Sequence, residues 1–255
     1  MTIFEATSAA RRTIDEAARA AGRTDRVTLE LAAKTRTPGE CHEAAACLAR
    51  LGGPVLVGHN RVQEARATAE AIRRVDGARI HLIGPLQTNK INQALACVDA
   101  VETLSSAELA RKIDARATRP LPVFIQVNVS GEATKSGCAP DAVAPVIDAV
   151  SECANLRLAG FMTVGLNSPD EAPVRRAYAR LRSIRDGRRR PVVGVVDGHE
   201  PRHGVGHCRG GDHRAPGDGG LRRPLRPITH TTAGITQHAA AHKGGIKPPS
   251  ASSVS

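Results

Sequence analysis

The feature that most constrains the fold is a regular alternation of strand and helix patterns over the first 187 residues. Short apolar or alternating runs, typical of strands, are each followed by a stretch with the apolar spacing of an amphipathic helix. The sequence predicts six strands by Met162, ending near Lys34, Gly58, Gly84, Thr103, Ser130 and Thr163. Such alternation indicates a parallel sheet that is either doubly wound or closed as a barrel.

The alternation stops after Gly187. Residues 188–255 contain no Phe, Tyr or Trp, hold 7 of the 10 His and 12 of the 24 Gly, and show no apolar period. Since 11 Lys and Arg but 4 Asp and Glu lie there, this segment carries +7 of the net charge of +11. Its composition predicts irregular chain. We therefore expect two parts, an organised domain at 1–187 and an irregular tail at 188–255.

Composition limits the function classes. Aromatic residues are only 2 % of the chain, so the core must be aliphatic. No run of about 18 apolar residues is present to predict a membrane span, and residues 1–12 lack the apolar stretch of a signal peptide. None of the six cysteines forms a Cys-x-x-Cys pair. We expect a cytoplasmic protein whose cysteines are reduced and mostly buried.

The stretch Leu29–Pro38 reads as a strand that passes directly into a helix. Thr37, Pro38 and Glu40 form a capping box with proline at the first helical position. Lys34 therefore lies at the edge of the sheet where ligands bind in α/β folds. A lysine desolvated there can attack an aldehyde, but the decapeptide alone favours an ordinary solvated lysine, since most lysines are solvated.

Several motifs follow in an order that carries a family resemblance. They are the segments Val57–Glu64, His81–Lys90, Ile125–Ser130, Lys135–Gly137 and Leu158–Met162. In this order and at these spacings the chain resembles the pyridoxal phosphate homeostasis proteins, whose fold is that of the barrel domain of alanine racemase. The resemblance extends from about Val27 to about Gly187.

The resemblance implies a cofactor site. Lys34 matches the lysine that forms a Schiff base with pyridoxal 5'-phosphate, and Asn60, His81, Asn128 and Met162 lie at or near strand ends where they can line the pocket. Each of these four also has a purely structural interpretation. No catalytic residue and no metal ligand is implied. One departure is His59, which replaces the acid of the usual Gly-Glu-Asn and is expected near the pocket rim.

The resemblance also implies a (β/α) barrel of the TIM type. Because the pattern ends near Gly187, we expect six intact strand–helix units, with the last two lost and the barrel seam open or badly filled. The family's phosphate-binding serine stretch and Gly-Thr, and the arginine that faces the pyridine nitrogen, belong to those last units.

A shift of reading frame near Gly187 explains the loss. Val196–His203 can be back-translated as GTC GAT GGG CAT GAG CCG CGA CAT, which one base later reads Ser-Met-Gly-Met-Ser-Arg-Asp. Permitted codons for Asp212–Arg222 give Thr-Ile-Val-Arg-Leu-Gly-Thr-Ala-Val-Phe in the same frame. Both resemble family motifs in the right order, whereas the competing interpretation is a genuine basic tail.

The function implied is that of a cofactor carrier in intracellular pyridoxal phosphate homeostasis, impaired in phosphate binding. A racemase-like enzyme is the main alternative, but it needs a second acid–base group, and the only tyrosine, Tyr178, lies within a helix pattern. A polyanion-binding protein acting through the basic tail is the third hypothesis. We expect no specific nucleic acid and no membrane as partner, and a monomer or weak dimer.

Overall fold

The computed structural model describes residues 2–132, 135–165 and 170–187, together with the backbone of two further strands at 194–197 and 228–234. The strands of these parts are β1 Thr28–Ala32, β2 Leu56–His59, β3 Arg79–Leu82, β4 Ala100–Leu104, β5 Leu121–Gln126, β6 Leu156–Thr163, β7 Gly194–Asp197 and β8 Ile228–Gly234. All of them pair in parallel with the next strand along the chain, and β8 pairs with β1, so they form a closed barrel.

One helix precedes β1, and each of the others follows a strand as the sequence pattern predicts. They are α1 Ile3–Ala20, α2 Pro38–Arg50, α3 Val62–Arg73, α4 Ile91–Leu95, α5 Ala107–Asp114, α6 Val143–Glu152 and α7 Glu171–Asp186. The capping box that opens α2 is confirmed, since Thr37 Oγ1 accepts from the amide of Glu40 and the Glu40 carboxylate accepts from the amide of Thr37. The chain therefore turns sharply from β1 into α2, and this turn contains Lys34.

Apolar side chains separate into two clusters on opposite faces of the sheet. The larger one lies between the sheet and the helices and takes the alternate residues Leu29 and Leu31 from β1. A small cluster of Phe124 and Met162 is distinct from it and lies on the inner face. Since alternate strand residues point to opposite faces, the residue between Leu29 and Leu31, which is Glu30, points into the barrel.

The predicted barrel fold and its first six strand–helix units are confirmed. The prediction that the last two strands are lost and the seam stays open is wrong, because β7 and β8 complete the closed barrel. Residues 194–197 and 228–234 contain β-branched Val, Ile and Thr, which favour strands. Parallel pairing uses backbone groups, so these segments can pair without any family motif. The rest of the predicted tail lies outside the described residues.

One helix start differs from its prediction. A capping box at Ser105 to Glu108 is expected to open α5, but the N-cap is Ser106, whose hydroxyl accepts from the amide of Leu109. The prediction was displaced by one residue because two adjacent serines offer the same capping group.

The cysteine prediction is confirmed in the described part of the chain, where five cysteines are free and buried. Within the same residues, none of the helices has both the length and the apolar character that a membrane crossing requires.

Candidate functional site

Lys34 lies just beyond the carboxyl end of β1. Ala33 before it is fully buried, whereas Lys34 itself is exposed. The desolvated lysine considered from the sequence is therefore not found, and its amine can be reached from solvent. The next residue, Thr35, has a φ of 55° and donates its hydroxyl to the carbonyl of Lys34 at 2.7 Å. A positive φ is strained for a β-branched residue, and such strain concentrates at functional sites.

Asn60 follows β2 directly and is half-buried. Its Oδ1 is buried and has no hydrogen-bond partner among the described residues. Buried amide oxygens are nearly always bonded, so this atom marks a place where a ligand with a donor group can bind. Asn60 lies at the same edge of the sheet as Lys34, since the carboxyl ends of parallel strands meet there.

Gly84 fixes the position of Asn60. A Cβ atom built on Gly84 would lie 2.1 Å from the backbone oxygen of Asn60 and 2.8 Å from its carbonyl carbon. On its other side, the carbonyl of Gly84 accepts the hydroxyl of Thr103 at 2.8 Å. The segments that follow β2 and β3 therefore contact each other through backbone atoms, which only glycine permits.

Asn128 lies two residues beyond β5 and organises its own loop. Its Nδ2 donates to the carbonyls of Glu132 at 2.8 Å and Lys135 at 3.3 Å, and its Oδ1 accepts from Ser130 Oγ and the amide of Gly131. Both ends of the amide are thus engaged within the loop. This geometry supports the structural interpretation of Asn128.

Met162 and His81 lie inside the barrel rather than at its edge. Met162 is buried against Phe124 on the inner face. His81 belongs to β3 and is 7 % exposed, with its Nδ1 2.7 Å from Glu102 Oε1 on β4. Of the five residues expected at the site, Lys34, Asn60 and Asn128 thus occupy the carboxyl edge, and the other two lie in the interior.

Two buried glutamates were missed by the sequence interpretation. Glu30 on β1 and Glu102 on β4 are both fully buried. Burial raises the pKa of Glu102 to about 8. Burial and then repulsion from Glu102 raise the pKa of Glu30 well above its usual range. The available signal was an acidic residue in the inward-facing position of an apolar strand, in Leu-Glu-Leu and Val-Glu-Thr.

His59 does not lie at the pocket rim. It stands between inward-facing Gly58 and Asn60, so the alternation of strand residues directs it outward, under α3. Its Nε2 lies 3.0 Å from the hydroxyl oxygen of Thr68 on that helix, and its Nδ1 is buried without a hydrogen-bond partner in the described residues. The prediction that His59 replaces an acid at the rim of the pocket is therefore wrong. Burial lowers the pKa of His59 to about 4.

A prediction for stability follows from His59. Because the pKa falls from 6.5 in the unfolded chain to about 4 in the folded one, the unfolded state alone binds a proton between these values. Stability is therefore retained above pH 6.5 and lost as the pH falls towards 4, by about 3 kcal/mol for this residue. Urea unfolding of the native chain and of His59→Gln between pH 4 and 7.5 measures this contribution, and we expect a flatter profile for the variant.

The exposed His42 on α2 supplies the control. His42→Gln makes the same substitution at an exposed histidine and tests whether loss of any histidine changes the profile. A His59→Gln profile parallel to that of the native chain would contradict the assignment of the acid loss to His59.

A closed parallel barrel with polar residues after its strands defines the chain as a (β/α) barrel protein with a site at the carboxyl edge. The sequence model of the family described as "Alanine racemase, N-terminal domain" matches residues 7–195, and the chain belongs to this family. The family resemblance inferred from the motifs is thereby confirmed.

Two similar curated proteins within this family carry the same name. The chain is 37 % identical over 174 residues to the pyridoxal phosphate homeostasis protein of Pseudomonas aeruginosa. The aligned residues make up 67 % of this chain and 74 % of the relative. It is 34 % identical over 179 residues to the protein of the same name from Aquifex aeolicus, or 68 % and 75 % of the two chains.

Solved structures agree on the fold. The crystal structure of an unknown protein from Bifidobacterium adolescentis gives a TM-score of 0.72 at 29 % identity, covering 91 % of this chain and 92 % of that one. PipY of Synechococcus elongatus, solved with PLP bound, gives a TM-score of 0.64 at 17 % identity, covering 91 % and 98 %. At that identity the second comparison supports the fold alone.

Proposed function

We propose that the chain binds pyridoxal 5'-phosphate at the carboxyl edge of the barrel and serves intracellular homeostasis of this cofactor. The observation that carries the proposal is the exposed Lys34 beside a strained residue at the end of β1. The names of the curated relatives support it. Lys34 would hold the cofactor through a Schiff base, and the cofactor would supply a reactive aldehyde.

The residues at the edge fit such a ligand. The buried Oδ1 of Asn60 has no partner in the described part of the chain and can accept from a hydroxyl or a protonated nitrogen. Met162 and Phe124 contribute apolar atoms on the inner face of β5 and β6. Lys34 offers an amine and Asn60 an acceptor, and a few polar groups of this kind beside apolar surface are typical of a small-molecule site.

We favour a carrier over a racemase. Racemisation requires acid–base groups on both faces of the cofactor, and the chain's only tyrosine is Tyr178. That residue is buried in α7, on the helical layer outside the sheet, where its neighbour Ala177 packs in the large core cluster. The proposed role is therefore cytoplasmic binding and buffering of the cofactor by a monomer or weak dimer, without turnover.

The experiment is a spectral titration with pyridoxal 5'-phosphate followed by borohydride reduction. We expect a Schiff-base absorbance band, and peptide mass mapping should place the reduced adduct on Lys34. Lys34→Ala should lose both the band and the adduct, because Lys34 is the only lysine in the segment from β1 to the start of α2.

Lys112 provides the matched control. It is a partly exposed lysine on α5, paired with Glu108 on the outside of the barrel. Lys112→Ala should keep the band at full height. If Lys34→Ala still formed the borohydride-reduced adduct in full, the assignment of the Schiff base to Lys34 would be refuted. Racemisation of any amino acid by the native chain would favour the racemase over the carrier.

A further inference from the structure

Three metal-ligating side chains meet inside the barrel, away from the edge described above. Glu30, His81 and Glu102 each offer one ligand atom, and these atoms lie within 4.8 Å of one another. His81 Nδ1 is 2.7 Å from Glu102 Oε1 and 3.7 Å from Glu30 Oε1. Ligands of one metal ion are separated by about 3–3.5 Å, given bond lengths near 2.1 Å. The three atoms therefore need only small shifts to share an ion.

Gly58 makes the approach of Glu30 possible. Glu30 and His81 lie on β1 and β3, with β2 between them, and Gly58 of β2 pairs with His81. A Cβ on Gly58 would lie 2.5 Å from Glu30 Oε1 and 2.9 Å from a side-chain atom of Ile83. Because glycine leaves this space open, the carboxyl of Glu30 can reach across β2 towards the other two ligands.

The carboxyl oxygens of the cluster lack the partners that burial normally demands. Both oxygens of Glu30 and Oε2 of Glu102 are buried without a hydrogen bond within the described residues. Buried polar atoms in proteins are nearly always hydrogen-bonded. The two carboxyl groups also interact with each other, and one oxygen of each lies within 4.8 Å of the other and of a ring nitrogen of His81, so one cation can bind between them.

We propose that Glu30, His81 and Glu102 form a binding site for a divalent transition-metal cation inside the barrel. Binding of such an ion releases the protons of the two carboxyl groups to solvent. Two carboxylates and one neutral imidazole then balance the charge of the ion, so the occupied site carries no net charge into the apolar interior. Mixed oxygen and nitrogen donors suit Mn²⁺, Fe²⁺ and Zn²⁺.

The site is separate from the proposed cofactor site. Glu30 precedes Lys34 by four residues, or roughly 13 Å of extended chain, and lies within β1, whereas Lys34 lies beyond it. The proposal therefore stands or fails independently of pyridoxal phosphate binding.

Mn²⁺ is the appropriate probe because the chain contains seven histidines between residues 188 and 255. Zn²⁺ can bind such histidines directly, whereas Mn²⁺ prefers sites that contain carboxylates. Electron paramagnetic resonance of the full chain titrated with Mn²⁺ should show one bound ion per chain. The bound ion should also show electron spin-echo modulation from one imidazole nitrogen.

Variants distinguish this site from binding elsewhere. Glu30→Gln and Glu102→Gln should each weaken Mn²⁺ binding at least tenfold, while circular dichroism confirms that they fold. His59→Gln, which alters a buried histidine on the outer face of the sheet, should bind Mn²⁺ like the native chain.

Two results would overturn the proposal. One is the absence of stoichiometric binding with a Kd below about 100 µM, an affinity near −5.5 kcal/mol. The other is equal binding by the native chain and a folded Glu30→Gln or Glu102→Gln variant. If neither variant folds, lack of imidazole modulation in the native chain would also refute the site.

Discussion

Gly84→Ala is expected to lower the free energy of unfolding by about 3 kcal/mol or more. The added Cβ would lie 2.1 Å from the backbone oxygen of Asn60, and this atom cannot rotate away as a side chain can. The carbonyl of Gly84 is also held by Thr103, so relief requires a shift of two chain segments. Overpacking of this kind costs 1–3 kcal/mol and, where backbone must move, more. Urea unfolding monitored by circular dichroism measures the loss.

Gly39→Ala is the matched control. Gly39 lies in the first turn of α2 with nothing within 4 Å of the Cβ position. Alanine is favoured over glycine in a helix by up to about 1 kcal/mol, so this variant should be neutral or slightly stabilised. Equal effects of the two substitutions would contradict the close contact of Gly84 with Asn60. Because Asn60 belongs to the candidate site, Gly84→Ala should also weaken cofactor binding.

Elements up to Gly187 could be predicted because their patterns are local. The start of the helix at Pro38 was predicted, since the capping box and the proline at the first helical position agree. Lys34 was placed correctly at the end of β1, because only a short segment separates this strand from the start of α2. Apolar periodicity and capping residues are local signals, so they predict where a strand ends and where a helix begins.

Side-chain direction was harder to predict than position. His59 was expected at the rim of the pocket, yet its side chain points to α3. The register of a strand decides which of its residues face inward, and a difference of one residue reverses the face. Glu30 was not singled out from the sequence, because an acidic residue that alternates with leucines usually faces solvent, whereas here it is buried inside the barrel. Asn128 was expected to line a pocket, but its amide hydrogen bonds hold a loop whose path the sequence does not specify.

Closure of the barrel and binding of a phosphate depend on different features of the sequence. Strands β7 and β8 pair through backbone groups, and any segment with suitable β-branched residues can do so. Phosphate binding depends on particular hydroxyls and amides. A chain whose last two strands are read in a different frame can therefore close its barrel and still lack the residues that the family resemblance leads us to expect for the phosphate.

The frame-corrected chain is expected to bind pyridoxal 5'-phosphate about 10² to 10⁴ times more tightly than the present chain. In our proposal the serine stretch and the Gly-Thr that hold the phosphate are encoded one base out of register after Gly187, whereas Lys34 is retained. Each hydrogen bond to a charged phosphate contributes about 1.5–3 kcal/mol, or a tenfold to hundredfold change in affinity, and we expect at least two to be missing. Spectral titration of both chains measures the difference.

Further measurements separate the phosphate contacts from the lysine. Pyridoxal without phosphate should bind the two chains with similar affinity, because only the aldehyde and the ring are then recognised. Lys34→Ala in the corrected chain should lose the Schiff-base band while keeping much of its affinity for the phosphate. Equal affinity of the present and corrected chains for the phosphorylated cofactor would refute the frame shift as the cause of impaired binding. Sequencing of the gene around the codons of Asp186 to Arg190 tests the shift itself, because a single inserted or deleted base is expected there.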